Sequence, residues 1–123
     1  MNITLKEIIN AQAALAELAT FKFKGKAGYD NAKLLKRCGE ELELCTKARQ
    51  VTIEKYGVFD KEKGGYTFPT LEGQKAMQAE SEELMATPVV LECSKLLFAD
   101  VAEHSPTTGF WAALDWAIAE PVA

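Results

Sequence analysis

The N-terminal part of the chain carries apolar residues with the period of an α-helix. They recur three or four positions apart and would share one helix face: Ile8, Ala11, Leu15 and Leu18. Thr4 and Glu7 form the Thr-x-x-Glu pattern of a capping box, in which each side chain bonds the backbone N–H of the other. We therefore predict a first helix over residues 3–19.

A second, longer helix is predicted from residue 29 or 30 to residue 56, with Gly57 as its stop signal. Its central apolar stripe is spaced three, four and three: Leu35, Cys38, Leu42 and Cys45. The residues that widen this stripe are Leu34, Ala48, Val51 and Tyr56. Such a stripe suits pairing with another helix. The first helix, folded back as an antiparallel hairpin, is the simplest partner.

The second half of the chain mixes short strands with helices. Residues 57–69 form a turn-rich insert that ends in a short strand at residues 66–68. A third helix is predicted over residues 71–85. Residues 89–93 form the strongest strand pattern, and we expect this segment to pair with residues 66–68. A last helix is predicted over residues 107–119, started by Ser105-Pro106, with these residues inward: Phe110, Leu114, Ala117 and Ile118. The chain is thus predicted to be mainly α (α+β), a single helical binding domain over residues 1–123.

Charge is distributed unevenly along the chain. The net charge is -4, yet residues 22–37 contain six basic residues against one acid. The acidity of the remainder argues against binding to bulk nucleic acid, which needs a broad basic face. A local basic patch on an acidic body is better suited to a compact anionic ligand or to an acidic partner.

The cysteines and the N-terminus indicate a cytoplasmic protein. Cys38 and Cys45 are seven residues apart in a helical segment, about 10 Å along the axis, so they cannot bridge each other. With three cysteines and one histidine, neither a disulfide framework nor a zinc site is expected. No apolar run approaches the roughly 20 residues that span a bilayer. Residues 1–9 lack the sequence pattern of a secretory signal. We expect no membrane partner.

Four segments give the chain a resemblance to a known group of proteins: ITLKEIINAQAALAELA, YDNAKLLKRCGEELE, ARQVTIEKYG and LDWAIAEP. In this order they resemble a family of small, largely uncharacterised phage and prophage proteins. The resemblance implies a viral or prophage origin, a bacterial host cell and a mostly α fold. It supplies no functional residues.

Signatures of catalysis are not found in the sequence. A nucleophile triad needs a base, and the single histidine, His104, lies next to a predicted helix cap, where a surface or capping role is expected. Neither phosphate-cradling glycine motif occurs. The acidic stretches at residues 40–43 and 80–83 scatter their carboxylates around a helix, as a solvated face does. We therefore expect no enzyme activity, no metal site and no cofactor.

The basic segment also carries aromatic residues and is the predicted ligand site. Its proposed ligand-binding residues are Lys22, Lys24, Lys26, Tyr29, Lys33, Lys36 and Arg37. The N-terminus of the second helix favours anions, and Tyr29 can stack on a base while the cations neutralise phosphate. The same residues also suit a solvated hinge whose phenylalanines dock into the core, and this simpler interpretation stays open.

Two functions are therefore expected from the sequence. The first is a counter-defence protein that sequesters a nucleotide immune signal in a pocket between protomers of a homo-oligomer. Its oligomer contact would be the stripe around Cys38 or the C-terminal helix. The second is a protein-binding protein, either an inhibitor of a host protein or a chaperone of phage assembly, which would use its acidic body.

Overall fold

The computed structural model describes residues 1–119 and has the predicted mainly α fold with short antiparallel strands. The elements in chain order are β1 (Asn2–Thr4), α1 (Leu5–Asn10), α2 (Gln12–Leu18), α3 (Gly25–Tyr56), β2 (Val58–Asp60), β3 (Gly65–Thr67), α4 (Leu71–Met85), β4 (Pro88–Val90), α5 (Phe98–Ala102) and α6 (Thr108–Ala113), followed by a 3-10 turn (Asp115–Ala117). The third predicted helix has the bounds that its sequence pattern indicated.

The predicted N-terminal helix is divided into a strand and two short helices. Ile3 is buried in β1 and pairs with Val89, so the helix can begin only after it. Thr4 is the N-cap of α1, and the predicted capping box with Glu7 is confirmed, with both backbone contacts present. The break lies at Ala11, whose backbone (φ -93°, ψ 2°) leaves the α region between α1 and α2.

The predicted strand pairing is wrong. Strand β4 pairs antiparallel with β1, and β3 pairs with β2 inside the insert. Residues 61–64 close this local hairpin with Gly64 at φ +68°. The Asp60 carboxylate accepts the Glu62 N–H at 3.0 Å. A neighbouring strand is reached at a smaller loss of chain entropy than a distant one, and the sequence pattern of β3 alone does not identify its partner.

The long helix α3 begins at Gly25, four residues before the earliest predicted start, and ends at Tyr56 with Gly57 as its C-cap, as predicted. Cys38 and Cys45 are buried in the core of the same chain, and Leu35 and Leu42 pack against that core. The predicted oligomer stripe is therefore occupied within the chain.

Helix α4 packs antiparallel to the C-terminal half of α3. A Cβ at Gly73 would lie 3.4 Å from the Tyr56 carbonyl oxygen, whereas Ala48 lines a groove together with Thr87 at the opposite end of α4. Among residues 1–119, every residue less than 9% exposed lies in residues 1–45 or 89–119. We call this part the head, and residues 46–88 the arm.

The C-terminal segment forms less regular structure than predicted. The N-cap of α6 is Thr107, so the prediction of Ser105-Pro106 as the helix start is wrong. Ser105 adopts φ 48°, in the left-handed region, and this ends the preceding turn instead. Helix α5 was not predicted. The four residues predicted to point inward, which include Phe110 and Leu114, are all buried as expected. The last two residues of the LDWAIAEP motif lie outside the described residues.

Candidate functional site

The structure divides the predicted basic site into two separate depressions. Four of the seven predicted residues line the first: Tyr29, Lys33, Lys36 and Arg37. Lys24 and Lys26 line the second. Lys22 is exposed and lines neither. The division follows from chain topology, since residues 95–97 and Asp100 complete the second depression beside Lys24 and Lys26 but do not line the first.

The first depression has a volume of about 280 Å³, and Ala32 contributes the remaining lining. Tyr29, Lys33 and either Lys36 or Arg37 follow one another at spacings of three or four, which places them on one face of α3. Tyr29 is 68% exposed, so its ring is accessible to a ligand. We call these four predicted residues the basic face.

Arg37 is the most constrained cation of the basic face. Its Nη1 lies 3.4 Å from a Glu40 carboxylate oxygen, an exposed pair that holds the side chain only weakly. Its Nε is shielded from solvent and has no hydrogen-bond partner in the part of the chain that the structure describes. Because Nε is shielded from solvent, a ligand can reach Arg37 only through its terminal guanidinium nitrogens, of which Nη1 already pairs with Glu40.

The second depression, of about 260 Å³, is less suited to an anion. Lys24, Lys26 and Lys95 line it together with Asp30 and Asp100. Lys26 already pairs with Asp30 at 3.6 Å. Two carboxylates against three cations leave a smaller positive field than at the basic face, where the lining drawn from the described residues contains three cations and no carboxylate. Lys95 and Asp100 are distant from α3 in sequence, and no local pattern indicated them.

The phenylalanines of the connector pack as the hinge interpretation expects. Phe21 and Phe23 lie against the core, while Lys22 and Lys24 between and after them are exposed. His104 stacks on Phe21 with ring centroids 4.8 Å apart and planes at 7°. The ring of Phe23 meets it edge-on at 4.8 Å. His104 is half-buried in an aromatic cluster rather than a capping residue, a contact that its sequence neighbours did not reveal.

Cys93 lies near the basic face, and no cysteine lines it. Burial raises the pKa of the Cys38 thiol to about 12. Partial burial also raises the pKa of Cys93, and the N-terminal ammonium, Lys33 and Arg37 act in the opposite direction. Cys38, Cys45 and Cys93 are free thiols.

Across residues 1–119, no three His, Cys, Asp or Glu side chains are grouped closely enough to hold a metal ion. None of the helices in this range is both long and apolar enough to cross a membrane.

No protein-family model, curated protein or solved structure matches this chain. The ligand class that we propose below therefore rests on the geometry of the site itself.

Proposed function

We propose that this chain is a non-enzymatic binding protein that captures a compact phosphorylated ligand, most concretely a nucleotide, on its basic face. The observation that supports this proposal is the lining of the first depression. Three cations line it together with an exposed tyrosine, and no carboxylate of residues 1–119 lines the same depression.

The chemistry of these side chains matches the two parts of a nucleotide. Lys33, Lys36 and Arg37 can each donate a charge-assisted hydrogen bond to phosphate oxygens, and such bonds are stronger than neutral ones. Tyr29 is 68% exposed, and its ring offers a stacking surface for a base. The volume of about 280 Å³ is at the lower end of ligand sites, so one nucleotide unit would fill it.

The role that we propose for this binding is counter-defence. The resemblance of the sequence to phage and prophage proteins would place the chain in the cytoplasm of an infected bacterium. A protein there that holds a cyclic nucleotide or an ADP-ribose derivative without converting it would remove an immune signal by mass action. Because sequestration needs only affinity and abundance, it requires no catalytic residue.

The test is a thermal-shift screen of cyclic nucleotides and ADP-ribose derivatives, with inorganic phosphate as a reference, followed by calorimetry of any hit. A ligand present at about 100 times its Kd stabilises the folded state by about 2.7 kcal/mol, which is measurable as a rise in Tm. The variant is Lys33→Ala, Arg37→Ala. Lys61→Ala, Lys63→Ala in the hairpin turn is the control, because it removes the same charge from exposed positions.

We expect the basic-face variant to fold and to lose affinity by about a hundredfold or more, since each charged hydrogen bond is worth about 1.5–3 kcal/mol and a decade of affinity is about 1.4 kcal/mol. The control should bind normally. Full binding by the Lys33, Arg37 variant would reject the site, and the absence of any nucleotide hit would reject the function.

A second candidate function is the binding of another protein, as an inhibitor of a host protein or as an assembly chaperone. The observation that favours it is the end of the arm, where four large apolar side chains are exposed: Val58, Phe59, Tyr66 and Leu71. Exposed apolar patches often mark protein interaction sites. This alternative would be supported if a Phe59→Ala, Tyr66→Ala variant lost partner binding, since that variant leaves the basic face unchanged.

A further inference from the structure

The exposed side of α3 changes the sign of its charge at the C-terminal end of the basic face. Glu40 follows Lys36 by four positions and Glu43 follows by a further three, so both continue the same helix face. The Glu40 carboxylate lies 3.4 Å from Arg37 Nη1, and the Glu43 carboxylate lies 3.4 Å from Lys47 Nζ. The row of cations therefore ends at a carboxylate that contacts the last of them.

The contact with Glu40 limits what Arg37 can offer to an anion. Because Nε of Arg37 is shielded from solvent, only the two terminal nitrogens of the guanidinium can reach a ligand, and Glu40 already contacts one of them. An arginine binds a phosphate most strongly when two of its nitrogens donate at once. A ligand phosphate must therefore either displace the Glu40 carboxylate from Nη1 or bind Nη2 alone.

Two other carboxylates of α3 are close to these cations in sequence but do not contact them. Asp30 pairs with Lys26 at 3.6 Å and lines the second depression. Glu41 is four residues from Arg37 and is half-buried. In residues 1–119, neither carboxylate forms a salt bridge with a cation of the basic face. Glu40 is thus the carboxylate that acts directly on the basic face.

We infer that Glu40 is a specificity-determining residue, which restricts the basic face to ligands of low phosphate charge, and this inference rests on the proposed function. Lys33 and Lys36 form no salt bridge in the described part of the chain and supply two free charges. A phosphate monoester carries about -1.5 to -2 at pH 7, and two phosphodiesters carry about -2, so both match these charges. Each further phosphate of a polyphosphate adds about one negative charge, which the Glu40 carboxylate repels. Repulsion of this kind is a common source of specificity.

The test compares adenosine 5′-monophosphate with adenosine 5′-triphosphate, which share a base and a sugar and differ in phosphate charge. Calorimetry without magnesium measures both affinities for the full chain. The unmodified protein should bind the triphosphate no more tightly than the monophosphate. Glu40→Gln should raise the affinity for the triphosphate, relative to the monophosphate, by about twofold to fivefold, the range expected for one exposed charge pair.

Two further variants separate the charge of Glu40 from other effects. Glu40→Asp keeps the negative charge and should keep the ratio of the two affinities that the unmodified protein shows. Glu54→Gln is the matched control, because it removes an exposed carboxylate from α3 about 21 Å further along the axis. That distance exceeds the screening length of about 10 Å at 0.1 M salt, so this control should leave the ratio unchanged.

The outcomes distinguish this inference from the proposed function. Circular dichroism verifies that each variant folds. If the unmodified protein prefers the triphosphate, if Glu40→Gln leaves the ratio of affinities unchanged, or if Glu54→Gln changes it equally, the inference is wrong and the proposed function stands. If neither nucleotide binds, the inference is also wrong, and the proposed function falls with it only when the wider nucleotide screen finds no ligand.

Discussion

In the head, α3 buries Leu34, Cys38 and Cys45 among side chains from both ends of the chain, whereas in the arm the same helix buries no side chain completely. Helix α4, which is the partner of α3 in the arm, also has no residue that is less than 9% exposed. The two regions therefore share one continuous helix but differ in what stabilises them. Complete apolar burial stabilises the head. The arm depends on half-buried apolar side chains, of which Leu84 and Met85 pack against the core of the head, and on helix continuity and polar contacts at its surface.

This difference shows where local opening should begin. Segments with few buried contacts open at a lower free energy than the global unfolding reaction, so the arm should open before the head. The contact between Tyr56 and Glu80, 2.6 Å long, is one of the few that tie α4 to α3 by side chains. The substitutions below compare the two regions, beginning with the largest expected effect.

Phe110→Ala should destabilise the head severely. Phe110 is 1% exposed and packs against the rings of Phe21 and Trp111, and such truncations cost about 3–5 kcal/mol. Phe59→Ala in the arm removes the same ring from a position that is 54% exposed. It should cost about 1 kcal/mol or less, the value of a cross-strand pair. Urea denaturation measures both changes, and equal losses would contradict the division into head and arm.

Gly57→Ala should destabilise the arm by about 1–3 kcal/mol, as overpacking does. A Cβ at this position would lie 2.7 Å from the Ile53 carbonyl oxygen and 3.1 Å from the Phe68 ring. Gly39→Ala is the matched control, since no atom of residues 1–119 outside the adjoining helix backbone lies within 4 Å of a Cβ there. In a helix interior this change should stabilise by about 0.5–1 kcal/mol. Hydrogen exchange resolved by residue should show the effect of Gly57→Ala in α4 first.

Tyr56→Phe should destabilise the arm by less than Gly57→Ala does. It removes the hydrogen bond that the Tyr56 hydroxyl donates to Glu80, and we expect roughly twofold to tenfold faster exchange of α4 amides. That hydrogen bond is the main cause that lowers the pKa of Glu80 below its usual value. Because the pKa of Glu80 is lower in the folded state, its ionised carboxylate stabilises the folded protein at pH values above the ordinary glutamate pKa of about 4.3. This stabilisation is lost as the pH falls through the pKa that Glu80 has in the folded state.

Acidification below that range should therefore loosen the arm of the unmodified protein more than the arm of Tyr56→Phe. Glu80→Gln should show no such dependence on Glu80 titration. If the arms of the unmodified protein and of Tyr56→Phe loosen equally on acidification, the contact between Tyr56 and Glu80 does not stabilise the arm.

The rates at which the cysteine thiols are alkylated should distinguish the head from the arm without a substitution that changes stability. Cys38 is buried and its pKa is raised to about 12, so its thiolate is scarce at pH 8. Cys93 is only partly buried. Mass spectrometry over time should show Cys93 modified first and Cys38 only when the head unfolds. Modification of Cys38 at the rate of arm opening would show that the two regions are not independent.

Local sequence signals predicted the elements whose determinants are local. The Thr4–Glu7 box, the stop at Gly57 and the bounds of α4 all depend on residues within one or two turns. The spacing of Tyr29, Lys33 and Arg37 likewise placed them on one face of α3. The partner of each strand and the separation of Lys26 from Lys33 depend on chain topology and on where α3 begins, and neither follows from spacing alone.

The pairing of β1 with β4 has a consequence for the order in which the molecule assembles. Residues 2–4 pair with residues 88–90, so more than 80 residues separate the two strands in the chain. Closing so long a loop costs conformational entropy before the strands form their contacts. The α3–α4 contacts in the arm span a much shorter loop. During synthesis the arm can therefore fold first, while the N-terminal strand waits for β4 to emerge. The head, which is the more stable region of the folded protein, then forms after the arm.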